Sequence, residues 1–370
     1  MRKRVLSMLV AVVFAMTMFA GCSGSSDKSS SSSDKPDTSA DTSVDKAADD
    51  TAANAVTEAA AATGKDVKDI KVGALMKDNS DTFVKKISDA MQAHADELGV
   101  NLIMCDAEGD VNQQIEQCEN LITQQVDAII LNAQDMEGSN PCIVEANEAG
   151  IPIISCNCDT SNTDYQAFVG CKDEESGIIE ADYVLENLAE GSGICIIEGP
   201  MGQAGQVGRL AGYVDEGLIG ADGNSDGKYK LLAKQTANWK REEAMALTED
   251  WLTTYGDKLN AIVCENDDMA MGALSACQAA GRTDILITGV DAISDALTAV
   301  KNGELGCTVF QDAAGQGTTA LDVAIAFAQG KTINDLKDVV PEGATLTAET
   351  KDIRIPFQLV TKDNVDQYIK

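Results

Sequence analysis

Five polar residues stand where short apolar runs hand over to helical stretches. Asp81 precedes TFVKKI, Asn132 follows AIIL, Asn266 follows AIVCE, Asp291 follows ITGV and Gln311 follows TVF. Asp81, Asn266 and Asp291 are of the types that cap helices by accepting hydrogen bonds from free backbone N–H groups. Five amides and carboxylates at equivalent strand ends also describe a set of convergent polar groups around a ligand. Both readings stay open at this level. Aromatic residues make up only 4% of the chain, so those near these positions count. Phe83 falls on the apolar stripe of a helix, and Trp239, in QTANWKREE, sits in a loop just before another. Trp251 lies inside that following helix, where packing is the natural role. Aromatic faces beside planar polar side chains describe a pyranose site. The ring C–H faces rest on the aromatics, while amide, carboxylate and guanidinium groups bridge adjacent hydroxyls.

Other chemistries have less to work with. The single histidine, His94, falls off the stripe of Phe83, Ile87 and Met91, among charged neighbours, and is expected to be a solvated helix residue. One such residue leaves no triad and no His-rich metal centre. Of the eleven cysteines, Cys105, Cys156, Cys195, Cys264 and Cys307 lie in or beside apolar runs, as small core hydrophobes do, so free thiols are expected. Cys156 and Cys158 would share one strand face, too far apart to bond easily. Asp222, Asn224 and Asp226 resemble the start of a calcium loop, but its twelfth position is Ala233 and the bidentate acid is missing. An Asx-rich turn is expected there, with no metal. Gly202, Gly205 and Gly208 follow a strand and open a helix, a setting for phosphates, but the spacing is neither GxGxxG nor a Walker loop. A nucleotide-dependent enzyme is the remote alternative. A formal net charge of −32 repels phosphate backbones and argues against nucleic acid.

The elements that must position these residues alternate along the chain. Strands are expected at 70–75, 100–105, 126–131 and 151–156, with helices near 82–98, 112–124 and 140–149. The pattern restarts with strands at 194–198, 229–233, 261–264 and 285–290 and helices near 206–219, 241–255, 268–281 and 292–302. Short, almost wholly apolar strands imply a parallel sheet covered on both faces. The fold class is therefore α/β, as two doubly wound lobes facing each other across a cleft at the carboxyl ends of their strands.

Residues 1–22 begin Arg2-Lys3-Arg4, continue with an apolar run and end Phe19-Ala20-Gly21-Cys22. This resembles a bacterial lipobox, cut before the cysteine so that Cys22 carries lipid. Residues 23–66 are Ser, Asp, Ala, Thr and Lys with almost no large apolar side chain, as expected of a disordered tether. The protein is then expected outside the cytoplasmic membrane, held to it by acyl chains.

The body, about residues 68–370, resembles the periplasmic sugar-binding proteins of type I ABC transporters, closest to the galactose/glucose-binding branch. The stretches that carry the resemblance are DTFVKKI, AIILNAQD, DEESGIIEADY, QTANW, NDDMAMGAL, GVDAISDAL, GCTVFQDA and RIPFQLVTKDN, in that order. The resemblance implies two Rossmann-like lobes joined by a three-segment hinge, crossing near 170–172, near 311–312 and between the last helix and Ile353. The first lobe would be 67–171 plus 312–341, and the second 172–311 plus 342–370. It also implies sugar contacts at Asp81, Phe83 and Asn132 in the first lobe, at Arg209, Trp239, Asn266 and Asp291 in the second, and at Gln311 in the hinge. Phe83 and Trp239 would sandwich the ring. Where the galactose branch has a histidine and an aspartate, this chain has Gln203 and Gly205. Where ribose-type members have an Asp-Arg pair, it has Asn157-Cys158, which argues against ribose.

The implied function is capture of a galactose- or glucose-like hexose by a monomeric, non-enzymatic protein without cofactor. The sugar would pass to an ABC permease and its ATPase. Xylose, ribose or inositol as ligand, and presentation to a chemoreceptor or sensor kinase, are the alternatives. A repressor effector domain shares the fold, but the export signal and the lack of a basic helix-turn-helix region count against it.

Overall fold

The computed structural model describes residues 64–369. The expected signal, Cys22 and most of the expected tether lie outside these residues. The ordered body begins slightly earlier than position 67: Lys65 pairs with Asp127, and Asp66 caps a short 3-10 turn at Val67–Asp69.

The first sheet is built from β1 (Lys71–Met76), β2 (Asn101–Asp106), β3 (Ala128–Leu131), β4 (Ile153–Cys156) and β5 (Ala167–Gly170), with α1 (Thr82–Leu98), α2 (Val111–Thr123) and α3 (Asn140–Glu148) as crossovers. The chain then enters a second unit: α4 (Asp173–Asn187), β6 (Gly193–Glu198), α5 (Ala204–Asp215), β7 (Lys230–Thr236), α6 (Arg241–Tyr255), β8 (Leu259–Cys264), α7 (Asp267–Ala279), β9 (Leu286–Asp291), α8 (Ser294–Asn302) and β10 (Cys307–Phe310). It returns as α9 (Ala313–Ala328), β11 (Thr345–Thr347), β12 (Asp352–Arg354) and finally β13 (Gln358–Thr361). The described residues form a seven-stranded sheet, β11-β12-β5-β4-β3-β1-β2, and a six-stranded sheet, β13-β10-β9-β8-β6-β7. Only β11 and β13 pair antiparallel with their neighbours.

Local signals explain most element boundaries. Helix α1 starts because the Asp81 carboxylate accepts from the N–H groups of Phe83 and Val84, and it stops at Gly99, whose φ of 72° suits glycine. Between its ends Phe83, Ile87, Met91 and Ala95 form one buried stripe. Central strands such as β3 and β4 are buried throughout, whereas the edge strands β2 and β7 are partly exposed.

The third crossing differs from the expectation. The resemblance puts residues 342–354 in the second lobe, yet β12 pairs with β5 and extends the first sheet. Ile353 is fully buried in the first lobe's core, and Arg354 stacks its guanidinium 3.9 Å from the Phe168 ring centroid while pairing with Asp159. The chain therefore crosses for the third time after Arg354, in the stretch leading to β13.

Two smaller expectations also change. His94 is not simply solvated: its Nε2 lies 2.9 Å from Asp322 Oδ1 on α9, tying α1 to the returning helix. Cys158 does not continue the face of Cys156, because Asn157 takes a φ of 67° and turns the chain out of β4. The ten cysteines from Cys105 to Cys307 are free thiols, nearly all buried. Among the described residues no helix is long and apolar enough to cross a membrane.

Candidate functional site

Side chains from both lobes converge at the carboxyl ends of the strands. Lys77 follows β1, Asp81 and Phe83 begin α1, and Asn157 and Cys158 follow β4. Opposite them, Asp173 begins α4, Gly205 and Arg209 lie on α5, Trp239 follows β7, Asn266 precedes α7 and Asp291 ends β9. Gln311, at the second crossing, completes the wall of a cavity of about 30 Å³. The lobes touch around it. Lys77 Nζ donates to Gln203 Oε1 at 3.5 Å, and Ala204 packs into a core cluster of the first lobe.

Arg209 is the hub. Two glycines let α5 approach α4 closely: a Cβ on Gly177 would fall 2.3 Å from the Arg209 carbonyl oxygen, and one on Gly212 would fall 2.5 Å from that of Glu174. The guanidinium is buried and spends its donors on Ser176 Oγ (3.3 Å), the Glu265 carbonyl and Gln311 Oε1 (3.3 Å). Its Nη2 also lies 3.5 Å from Asp173 Oδ1 and 3.9 Å from Asp291 Oδ1. Burial pushes the Asp291 carboxyl well above its usual range despite the Arg209 charge, and Asp173 is raised for the same reason. Burial works against the Lys77 ammonium, but the Cys158, Asp81 and Asp173 charges together carry its pKa above the ordinary lysine value. The cavity therefore offers charged donors and acceptors side by side, in partly neutralised pairs.

Strained backbone presents two of the walls. Asn238 and Trp239 have φ of 53° and 61°, a left-handed pair that aims the indole into the cleft. Gly199 makes room for it, since a Cβ there would lie 2.0 Å from the ring. Trp239 Nε1 donates to Gln203 Oε1 at 2.7 Å, and the Arg209 guanidinium lies 5.6 Å from the ring centroid. Asp291 and Ala292 have φ of 115° and 54°. Asp267 clamps this turn from below: its Oδ2 accepts from Ile293 N and Thr308 Oγ1, both at 2.9 Å, and Thr308 Oγ1 accepts from Ala292 N at 3.1 Å.

The family described as "Periplasmic binding protein domain" matches residues 72–332. The chain belongs to the periplasmic binding protein family. A xylitol-binding protein of Mycolicibacterium smegmatis is 32% identical over 313 residues, covering 84% of this chain and 81% of that protein. A putative rhizopine-binding protein of Rhizobium meliloti is 32% identical over 325 residues, covering 86% and 94%. Among solved structures, an ABC transporter solute-binding protein from Bacillus halodurans with bound myo-inositol is 33% identical, with a TM-score of 0.72, covering 83% of this chain and 99% of that one. The Caulobacter myo-inositol-binding protein, bound to myo-inositol, is 27% identical with a TM-score of 0.70, covering 83% and 97%. The two parallel-sheet lobes are the type I fold of this family.

Against this frame the residues named from sequence divide. Asp81, Phe83, Arg209, Trp239, Asn266, Asp291 and Gln311 all line the cavity. Asp81 and Asn266 also cap their helices, so the two readings of those residues are compatible. Asn132 does not line it. It is fully buried behind the wall, where Oδ1 accepts from Lys77 N (3.3 Å) and Nδ2 donates to Asn157 Oδ1 (3.2 Å), so it orients the residues that do. Gln203 stands at the mouth rather than inside, its Oε1 shared between Trp239 and Lys77. Lys77, Asn157, Cys158 and Asp173 were not named as contacts. Lys77 and Asp173 occupy strand-to-helix handovers like the residues that were, but lysine reads as surface and Asp173 as a first-turn acid. Asp222 accepts from Asn224 N (2.9 Å) and Ser225 Oγ (2.7 Å), an Asx turn at the surface. Among the described residues no group of acidic, cysteine or histidine side chains could hold a metal ion.

Proposed function

We propose that this protein is an extracytoplasmic solute-binding protein that captures a hydroxylated ring between its lobes and delivers it to an ABC permease and its ATPase. The observation that carries the reading is the closed ring of polar groups from both lobes around one cavity, with Phe83 and Trp239 as apolar faces. Within that class a cyclic polyol of the myo-inositol type is the first ligand. Two relatives of known structure hold it, and Gly205, which stands where the galactose branch has its aspartate, offers no side-chain acceptor, while the acceptor of nearby Gln203 is already used by Trp239 and Lys77. A galactose- or glucose-like pyranose is the second reading, favoured by Asn266 and Asp291 beside the two aromatics. Binding involves no chemistry and no cofactor: ligand favours the closed lobes because it contacts both sides, and the closed surface engages the permease or a receptor. Cys22 carries the lipid that holds the protein at the membrane.

A thermal-shift panel of myo-inositol, D-galactose, D-glucose, D-xylose and D-ribose tests the assignment. A ligand at a hundred times its Kd stabilises the folded state by about 2.7 kcal/mol, so at least one compound is expected to raise the melting temperature clearly. A flat panel would overturn the reading. Metabolic labelling with a fatty acid is expected to label the protein and to fail in Cys22→Ala, and an unlabelled parent protein would contradict the anchor.

A further inference from the structure

The inner cavity is small beside the recess that opens from it. About 30 Å³ accommodates one water-sized molecule, whereas the adjoining recess at the cleft mouth measures about 810 Å³, within the range of small-molecule sites. Lys77, Asp81 and Trp239 line both, so the two spaces are continuous. The recess is not a product of separated lobes, because Lys77 and Gln203 already meet and Ala204 is already packed into the first lobe. A six-membered ring exceeds the inner cavity, so it fills that cavity together with the part of the recess beside Lys77, Asp81 and Trp239 and leaves the part toward Gln134 free. Its wall carries an unmet need: Gln134 lines it, and Gln134 Oε1 is buried with no hydrogen-bond partner. Of its three cations, Arg241 pairs with Asp268 and Asp295 and Lys240 with Glu243, while Lys77 donates to Gln203 and shares the wall with the carboxylates Asp78, Asp81, Glu242 and Asp268. That arrangement suits a neutral hydroxylated group better than a phosphate or carboxylate.

We propose that the recess is a second subsite, and that the preferred ligand is a ring carrying a glycosyl substituent. The inference rests on the ring-binding reading above. The first ring lies against Phe83 and one part of the Trp239 indole, the substituent extends past Trp239 toward Gln134, and the Gln134 carboxamide rotates to bring its buried Oε1 out to one of the substituent's hydroxyls. Calorimetric titration of the full chain with myo-inositol, galactosyl-myo-inositol, D-galactose and melibiose tests it. A glycosylated ring is expected to bind at least tenfold tighter than its bare parent. Gln134→Ala is expected to weaken the glycoside at least fivefold and to leave the bare ring and the melting temperature unchanged. Bare rings binding while both glycosides bind more weakly or not at all would overturn the subsite and leave the ring-binding reading intact. Equal losses for ring and glycoside in Gln134→Ala would also overturn it. No heat from any of the four would overturn both.

Discussion

At the scale of single residues, the site is organised around the buried Arg209, with Lys77 as a second buried cation and Phe83 and Trp239 as its aromatic faces. Arg209 neutralises Asp173 and Asp291, and removing one member of such a buried set leaves uncompensated charge, at a cost of about 3–5 kcal/mol. Arg209→Ala is expected to lower the free energy of unfolding by that amount in urea titrations. Arg209→Lys should keep the charge but lose the fork that reaches Ser176, Glu265 and Gln311 together. A stability change under about 1 kcal/mol in Arg209→Ala would contradict the role given to it. The tryptophans separate in the same way. Trp251 is buried in the second lobe's core and Trp239 faces the cleft. Trp251→Ala is expected to cost about 3–5 kcal/mol of stability with little change in affinity. Trp239→Ala should cost at least tenfold in affinity with a smaller loss of stability, and equal affinity losses would remove stacking from the account. Trp239 was legible in the sequence because a tryptophan in a loop lies on no helix's apolar stripe, although its ring also packs against the margin of the second lobe's core. Asn132 was misjudged because an amide at a strand end looks the same whether it faces the cleft or supports it from behind.

At the scale of elements, the turn after β9 illustrates how strain is held. Asp291 and Ala292 keep positive φ because Asp267 and Thr308 over-determine the turn. Burial carries the Asp267 carboxyl up to about 8, and burial likewise carries Glu180, bonded to Tyr213 and Thr288, up to about 7. Both folded-state values exceed those of the unfolded chain. Between about pH 5 and pH 8 the folded state therefore keeps protons that the unfolded state has lost, and stability must fall as pH rises through this window. Melting temperatures at pH 5, 6, 7 and 8 are expected to decline, with a shallower slope in Asp267→Asn. A rise across the same window would contradict the assignment. Element boundaries set by local signals were readable, as α1 shows: the Asp81 cap, the apolar stripe and Gly99 all lie within the helix's own sequence. Strands β11 and β12 were not readable. Each is three residues long, and its place in the first sheet depends on pairing with β5, far away in the chain.

At the scale of the whole molecule, two α/β lobes meet with the carboxyl ends of their strands facing one cleft, so a ligand seated there touches both. The repeated strand-helix alternation made the paired lobes legible, while the side of the cleft taken by residues 342–354 depended on contacts no local pattern carries. A ligand gripped by both lobes binds the closed form better, and its heat of binding reports that grip directly. Calorimetric titration with myo-inositol and D-galactose is therefore the most direct test of the central claim. The account predicts saturable heat at one ligand per chain from at least one of them, abolished in Asp291→Ala. Absence of heat from both, or binding that survives Asp291→Ala undiminished, would contradict it.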